Sequence, residues 1–272
     1  MDDIESTRLL GEAERAAGVA ASLQLEEFRK RGPGWGDAKA ARDFVSFVDL
    51  ESERAIRRLL DAALPGAAFF GEETDKTVGP DLTWVVDPLD GTTNYLSGYD
   101  HWSVSIALWE SGRPILGLVL KPSSGELFTA SLGCGAWRNG VRLSRAEGLD
   151  PRSALVATGT PYRSPETTDA FFAATRRVLA HCRDVRRTGS AALDLCYVAA
   201  GFFQGFWEVD LQPYDVAAGL LMLSETGHEF RTFEGKRYDP FRCRTLVTGR
   251  PLVLDALQSA VREAYGDIDL LN

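Results

Sequence analysis

The stretch Trp84-Val-Val-Asp-Pro-Leu-Asp-Gly-Thr-Thr-Asn-Tyr95 runs an apolar segment straight into two carboxylates, Asp87 and Asp90, and then into a helix-start sequence. Such a pair, followed by glycine and hydroxyl side chains, suits a cation held beside backbone N–H groups that receive an anion. Three chemistries compete for the spacing. A calcium-binding EF-hand loop needs oxygen ligands at positions 1, 3 and 5, glycine at 6 and Glu at 12. Counting from Asp87 puts Leu89 and Gly91 at the second and third of these ligand positions, and counting from Asp90 puts Tyr95 at the glycine and His101 at the Glu. Both counts fail. An aspartyl-phosphate mechanism sets its aspartates two residues apart, so that strand alternation points both to one side. Here they are three apart, with Pro88 between them. A shared metal site fits better. Pro88 fixes its own φ and biases Asp87 toward an extended conformation, so the chain turns sharply just past the strand. The two carboxylates then reach one cavity from two sides, with the Leu89 carbonyl between them. Gly91 permits close backbone approach, and Thr92, Thr93 and Asn94 sit where a following helix presents free N–H groups. For the motif taken alone, a capped helix start without a ligand is the competing reading.

Carboxylates follow apolar segments elsewhere too. Phe69-Phe-Gly-Glu-Glu ends in Glu72 and Glu73, Asp43-Phe-Val-Ser-Phe-Val-Asp-Leu-Glu-Ser-Glu offers Asp43 and Asp49, and Gln212-Pro-Tyr-Asp-Val-Ala-Ala-Gly sets Asp215 at the head of an apolar helix. Singly, Asp215 is a helix N-terminal carboxylate favoured by the dipole, Glu73 is solvated and Asp43 caps a turn. The repetition at separate places is what points to one acidic centre.

The elements that must position these groups fall into two halves. Helical spacing of Leu9, Ala13, Ala16, Ala20 and Leu23 predicts a helix from about Ile4 to Arg29, and a second is predicted from Asp49 to Leu64. Short apolar runs at 67–71, 83–87, 103–110, 114–120 and 125–130, separated by turn signals, predict a largely antiparallel meander. Beyond Asn139-Gly140 strands alternate with helices: strands at 153–159 and 205–210, helices at 165–180, 190–201 and 214–227. That pattern implies a sheet packed between helices. No internal repeat or long linker divides the 272 residues, so one domain, 1–272, with lobes of about 1–145 and 146–272, is expected.

The composition, 44% hydrophobic and 25% charged, is that of a soluble globular chain. A formal net charge of −9 disfavours nonspecific nucleic-acid binding, so no nucleic-acid partner is expected. A phosphate substrate would then need a cation recruited locally, which again points to a metal. The acidic N-terminus has no signal-peptide pattern and no run is long enough to span a membrane. Cys134, Cys182, Cys196 and Cys243 form no C-x-x-C pair, which implies reduced thiols and a cytoplasmic location. His101, His181 and His228 lie far apart, leaving a zinc site short of ligands.

Taken together, Lys39–Glu53, Gly71–Glu73, Trp84–Tyr95, Gly125–Gly140, Arg186–Gly201 and Pro213-Tyr-Asp-Val-Ala-Ala-Gly219 resemble, in order, the segments of the inositol monophosphatase family of metal-dependent, lithium-sensitive phosphatases. The resemblance implies an α+β fold, a layered αβαβα sandwich of the inositol monophosphatase / fructose-1,6-bisphosphatase type, and a homodimer. It assigns two or three Mg²⁺ ions to Glu72, Asp87, the Leu89 carbonyl, Asp90 and Asp215. It gives Glu72, Asp49 and Thr92 the activation of an attacking water, and Gly91, Thr92 and Thr93 the phosphate, beside Asp90 and Asp215. Gly189, Ser190, Ala191 and Glu208 would line the polyol pocket. The implied reaction is hydrolysis of a small polyol monophosphate, with inositol-1-phosphate first. Alternatives are fructose-1,6-bisphosphate, histidinol phosphate and 3′-phosphoadenosine 5′-phosphate, or a catalytically silent regulatory protein of the same fold. The chain departs from the common pattern at Tyr214 (usually Trp), Ser46 (usually Thr), Asp100 (frequently Pro) and Lys121 (commonly acidic), and Asp100 and Lys121 are expected to bear on the substrate rim.

Overall fold

A computed structural model describes residues 3–31, 38–145 and 147–266, with 31 and 38–46 as backbone only. The N-terminal periodicity becomes α1 (Asp3–Arg31). Helix α2 (Ala38–Ala63) begins well before Asp49, where the sequence reading started it. The preceding Ala-Lys-Ala-Ala-Arg run favours helix and contains no breaker, so propensity carries the helix backward. Asp49 is therefore a buried mid-helix residue rather than a helix-start residue. The Asp43 and Ser46 side chains lie outside the described residues.

Seven strands form the first sheet in sequence order: β1 (Ala68–Gly71), β2 (Leu82–Asp90), β3 (Ser103–Glu110), β4 (Arg113–Lys121), β5 (Glu126–Ser131), β6 (Gly135–Arg138) and β7 (Val141–Arg142). The β1–β2 pair is parallel, and from β2 onward the sheet is the expected antiparallel meander. A short helix, α3 (Thr92–Leu96), follows β2. The second half contributes β8 (Leu155–Thr158), α4 (Thr168–Leu179), β9 (Asp184–Arg186), α5 (Ala191–Ala199), β10 (Gly205–Val209), α6 (Pro213–Glu225), β11 (Glu229–Arg231), β12 (Thr245–Gly249) and α7 (Pro251–Tyr265). Its sheet has the order β11-β12-β10-β8-β9.

Apolar faces stack these elements into five layers. Leu9, Ala13 and Ala16 of α1 and Ile56 and Leu60 of α2 cover one face of the first sheet at Trp84, Val86 and Ile106. Helices α5 and α6 fill the space between the sheets, where Leu195, Val216 and Leu220 pack with Val119 and Phe128 on one side and Phe206 and Leu246 on the other. Helices α4 and α7 close the outer face through Phe171, Val178, Leu254 and Leu257 against Trp207 and Val247. The result is an αβαβα sandwich whose middle helices are buried on both sides, which explains why α5 and α6 read as almost wholly apolar.

The end of β2 differs from the sequence expectation. The strand does not stop at Asp87 but continues through Pro88 to Asp90. Asp87 pairs with Ser105 and Asp90 with Ser103, so β2 uses one residue more than β3 between the same two rungs. This is a β-bulge, and Pro88, which has no N–H for the ladder, falls inside it. In a regular strand, residues three apart point to opposite faces. The bulge resets that alternation and lets Asp87 and Asp90 serve one cavity. Among the described residues no helix is long and apolar enough to cross a membrane, and all four cysteines are free thiols.

Candidate metal centre and substrate pocket

Carboxylate oxygens of Asp87 and Asp90, from the bulged end of β2, and of Asp215, from the first turn of α6, lie within 4.8 Å of one another. Asp87 and Asp215 are almost fully buried. Glu72, just past β1, lines the same pocket and adds its charge to theirs. Such crowding is unfavourable to ionisation. Burial, then the charge of Asp215, pushes Glu72 up to about 7. Burial, then Asp215, raises Asp90 to about 6, against hydrogen bonds from Ser190 and Ala192. Asp87 is held well above the usual carboxylate range by burial and by Glu72. Asp215 is raised by burial and pulled back by Arg163.

One pocket, with space of about 90 Å³ for several water-sized groups, is lined by every site residue expected from the sequence except Asp49. Asp49 stands behind it on α2. Burial, then Glu73 and Glu72, lifts its carboxyl to about 8, and among the described residues its Oδ1 has no hydrogen-bond partner. The Thr92 hydroxyl donates to the Leu89 carbonyl at 3.0 Å. Gly91 takes φ 100°, and a Cβ there would come 3.0 Å from the His101 carbonyl oxygen and 3.1 Å from that of Gly189, so only glycine fits without strain. Glu208 reaches the pocket from β10 and presses on Gly159, where a Cβ would lie 1.9 Å from Glu208 Oε1. Burial, then Asp194 and Asp215, keeps Glu208 well above the usual range. It is a half-buried strand residue that faces the pocket.

Further contacts position the site, and two of the residues that make them, Gln24 and Glu53, carry no local signal in the sequence. Gln24 of α1, fully buried, donates from Nε2 to the Pro88 carbonyl at 2.7 Å and accepts from Trp102 Nε1 at 3.0 Å, which fixes the bulge. Glu53 of α2 accepts the Glu73 N–H at 2.9 Å and the Thr74 hydroxyl, which holds the turn that carries Glu72. Asn94 Nδ2 donates to the carbonyls of His101 at 2.7 Å and Thr188 at 2.9 Å, tying α3 to the segment before α5. Asp90 Oδ2 accepts from Ser190 Oγ and from the Ala192 N–H at the head of α5. The pocket wall also includes Tyr162, Arg163, Arg187 and Asp194. Asp100 and Lys121, expected at the substrate rim, do not line it. Tyr214 is buried beside Phe70, with its carbonyl accepting from Ser105 Oγ.

The Inositol monophosphatase family model matches residues 6–265. The chain belongs to the inositol monophosphatase family. The "Nus factor SuhB" of Escherichia coli strain K12 is 36% identical over 261 residues, 95% of this chain and 97% of that protein. An "Inositol-1-monophosphatase" of Rhizobium meliloti is 39% identical over 226 residues, 82% and 85% of the two chains. The fold is similar to that of the extragenic suppressor protein suhB from Bartonella henselae, with TM-score 0.81, 34% identity and coverage of 93% of this chain and 98% of that one. It is equally similar to the inositol monophosphatase from Anabaena, with TM-score 0.82, 30% identity and coverage of 93% and 95%. The inositol monophosphatase family is metal-dependent, and in this member the converging carboxylates are the donors a metal would meet.

Proposed function

We propose that this chain hydrolyses a small polyol monophosphate, inositol-1-phosphate first among the candidates, by direct attack of water. The observation that carries the reading is the convergence of Asp87, Asp90 and Asp215 within 4.8 Å, in the same pocket as Glu208. The donor set is all oxygen, which suits magnesium rather than a softer metal. Glu72, Asp87, the Leu89 carbonyl, Asp90 and Asp215 would hold two or three Mg²⁺ ions. Their chemistry, when bound, is to lower the pKa of water and to offset charge on the phosphate and leaving group. Thr92 and Thr93 hydroxyls and the backbone at Gly91 orient phosphate oxygens. Glu72 activates the attacking water, together with Asp49 and Thr92, which help to orient it. Glu208, with Gly189, Ser190 and Ala191, meets the polyol hydroxyls. The proposal includes inhibition by Li⁺, a single 1–272 catalytic unit, a homodimer and a cytoplasmic location.

A second reading, a regulatory role for the same fold, is supported by the name Nus factor carried by relatives at 36% identity. Retention of the acidic cluster favours the enzyme. Phosphate release measured with Mg²⁺ on inositol-1-phosphate, fructose-1,6-bisphosphate, histidinol phosphate and 3′-phosphoadenosine 5′-phosphate separates the readings. Preference for inositol-1-phosphate is expected. Preference for another of the four would move the substrate, and no release from any would favour the regulatory role.

A further inference from the structure

The acidic cluster already has a cation. Arg163, on the segment between β8 and α4, places Nη1 3.1 Å from Asp215 Oδ2 and Nη2 4.0 Å from Glu72 Oε1. Asp215 Oδ2 also accepts the Gln212 N–H at 2.7 Å, so both its lone-pair directions are in use while Arg163 is there. Apart from these carboxylates, the guanidinium is held among the described residues only by the Asp210 carbonyl, which Nη1 also reaches at 3.3 Å, and by the Tyr162 ring, whose centroid is 5.1 Å away. Tyr162 itself is 65% exposed.

From this geometry we infer that Arg163 is a resident counter-ion that competes with divalent metal for the Asp215–Glu72 edge of the site and so sets its metal affinity. The inference rests on the metal-dependent reading proposed above. Without metal, the guanidinium offsets part of the repulsion among the carboxylates. With metal, the same charge sits beside the donors that a dication needs, and it opposes binding unless the side chain withdraws. Arginine does not lose its proton in this range, so relief comes from movement rather than titration. The lightly anchored, solvent-facing side of Arg163 leaves that movement open.

The test uses the full chain stripped with chelator, with Mn²⁺ binding followed by electron paramagnetic resonance and Mg²⁺ binding by calorimetry. Arg163→Met is expected to bind metal more tightly than wild type, on the order of tenfold, through removal of a nearby like charge. Arg163→Lys keeps the charge and is expected to stay near wild type. The metal-free Met variant is expected to melt below metal-free wild type, with a wider gap between its metal-free and metal-loaded transitions. If the metal-free Met variant does not fold, Arg163→Gln supplies the same comparison. Equal or weaker binding by the uncharged variants, with wild-type binding intact, overturns the inference and leaves metal dependence standing. Absence of metal binding by wild type overturns both.

Discussion

Asp90, at the end of β2, and Ser190, at the N-cap of α5, meet across the two sheets: Ser190 Oγ donates to Asp90 Oδ2 at 2.5 Å. The same oxygen accepts the Ala192 N–H at 2.9 Å, so a carboxylate from the first sheet completes the first turn of a helix from the second half. Ser190 Oγ in turn accepts from the Leu193 N–H at 3.4 Å. We predict that Ser190→Ala loses about 1–2 kcal/mol of stability, from the cap and the bond to a carboxylate together. It should also weaken Mg²⁺ binding several-fold, because Asp90 is no longer aimed. Chemical denaturation and a metal titration on the same samples check this. A stability loss with unchanged metal affinity would mean Ser190 serves only the helix.

Asp90→Asn should behave differently. Removing one negative charge from the cluster relieves repulsion, so metal-free stability is expected to hold or rise. Turnover should fall on the order of a thousand-fold, as charge stabilisation of the leaving group is lost. Parallel melts and phosphate-release assays decide it. Near wild-type turnover would remove Asp90 from the metal site.

The acidic cluster gives the metal-free protein a stability that falls as pH rises. Glu72 and Asp49 have folded pKa values raised to about 7 and about 8, against ordinary carboxyl values in the unfolded chain. A raised acid contributes stability fully below its unfolded pKa and loses it as pH climbs through the folded value. His101 and His228, each lowered to about 4 chiefly by burial, act in the opposite sense: their contribution is present above about 6.5 and lost on acidification. The two effects overlap below 6.5, which makes pH 6.5–8 the clean window. There the metal-free protein should lose on the order of 1 kcal/mol per pH unit, and saturating Mg²⁺ should flatten the slope. Urea melts across that window test it. A flat metal-free profile would contradict the crowding.

Much of this was legible locally. The strands between 67 and 131 announce themselves by apolar runs and turn signals, Asp87 and Asp90 by their place at the end of such a run, and Asp215 by its place at the head of an apolar helix. The bulge at Pro88 was not legible, because it is defined by the register against Ser103 and Ser105 rather than by β2 itself. Gln24, Glu53 and Arg163 were missed for the same reason. Each is unremarkable in its own segment, and each matters through a partner distant in sequence. The start of α2 was misplaced because Asp49 reads as a residue near the helix start, whereas the helix-favouring run before it carries the helix back to Ala38.

Glu208 separates substrate recognition from metal chemistry. Glu208→Gln keeps the shape, and the expected loss on inositol-1-phosphate is on the order of tenfold in kcat/KM. The packing gives a second route, since Gly159→Ala puts a methyl group where Glu208 Oε1 now lies and must displace it. Both variants should hydrolyse a simple aryl phosphate almost as wild type does. Equal losses on the two substrates would show that Glu208 acts through the fold or the metals.

The central claim is that converging carboxylates make this chain a metal-dependent phosphatase, and one measurement bears on it most directly. Phosphate release from inositol-1-phosphate is followed after exhaustive chelation, then during stepwise return of Mg²⁺, with and without Li⁺. Activity absent after chelation, restored by Mg²⁺ and suppressed by Li⁺ is the expected result. Undiminished release by the metal-stripped protein, or none at any Mg²⁺ concentration, would contradict the account.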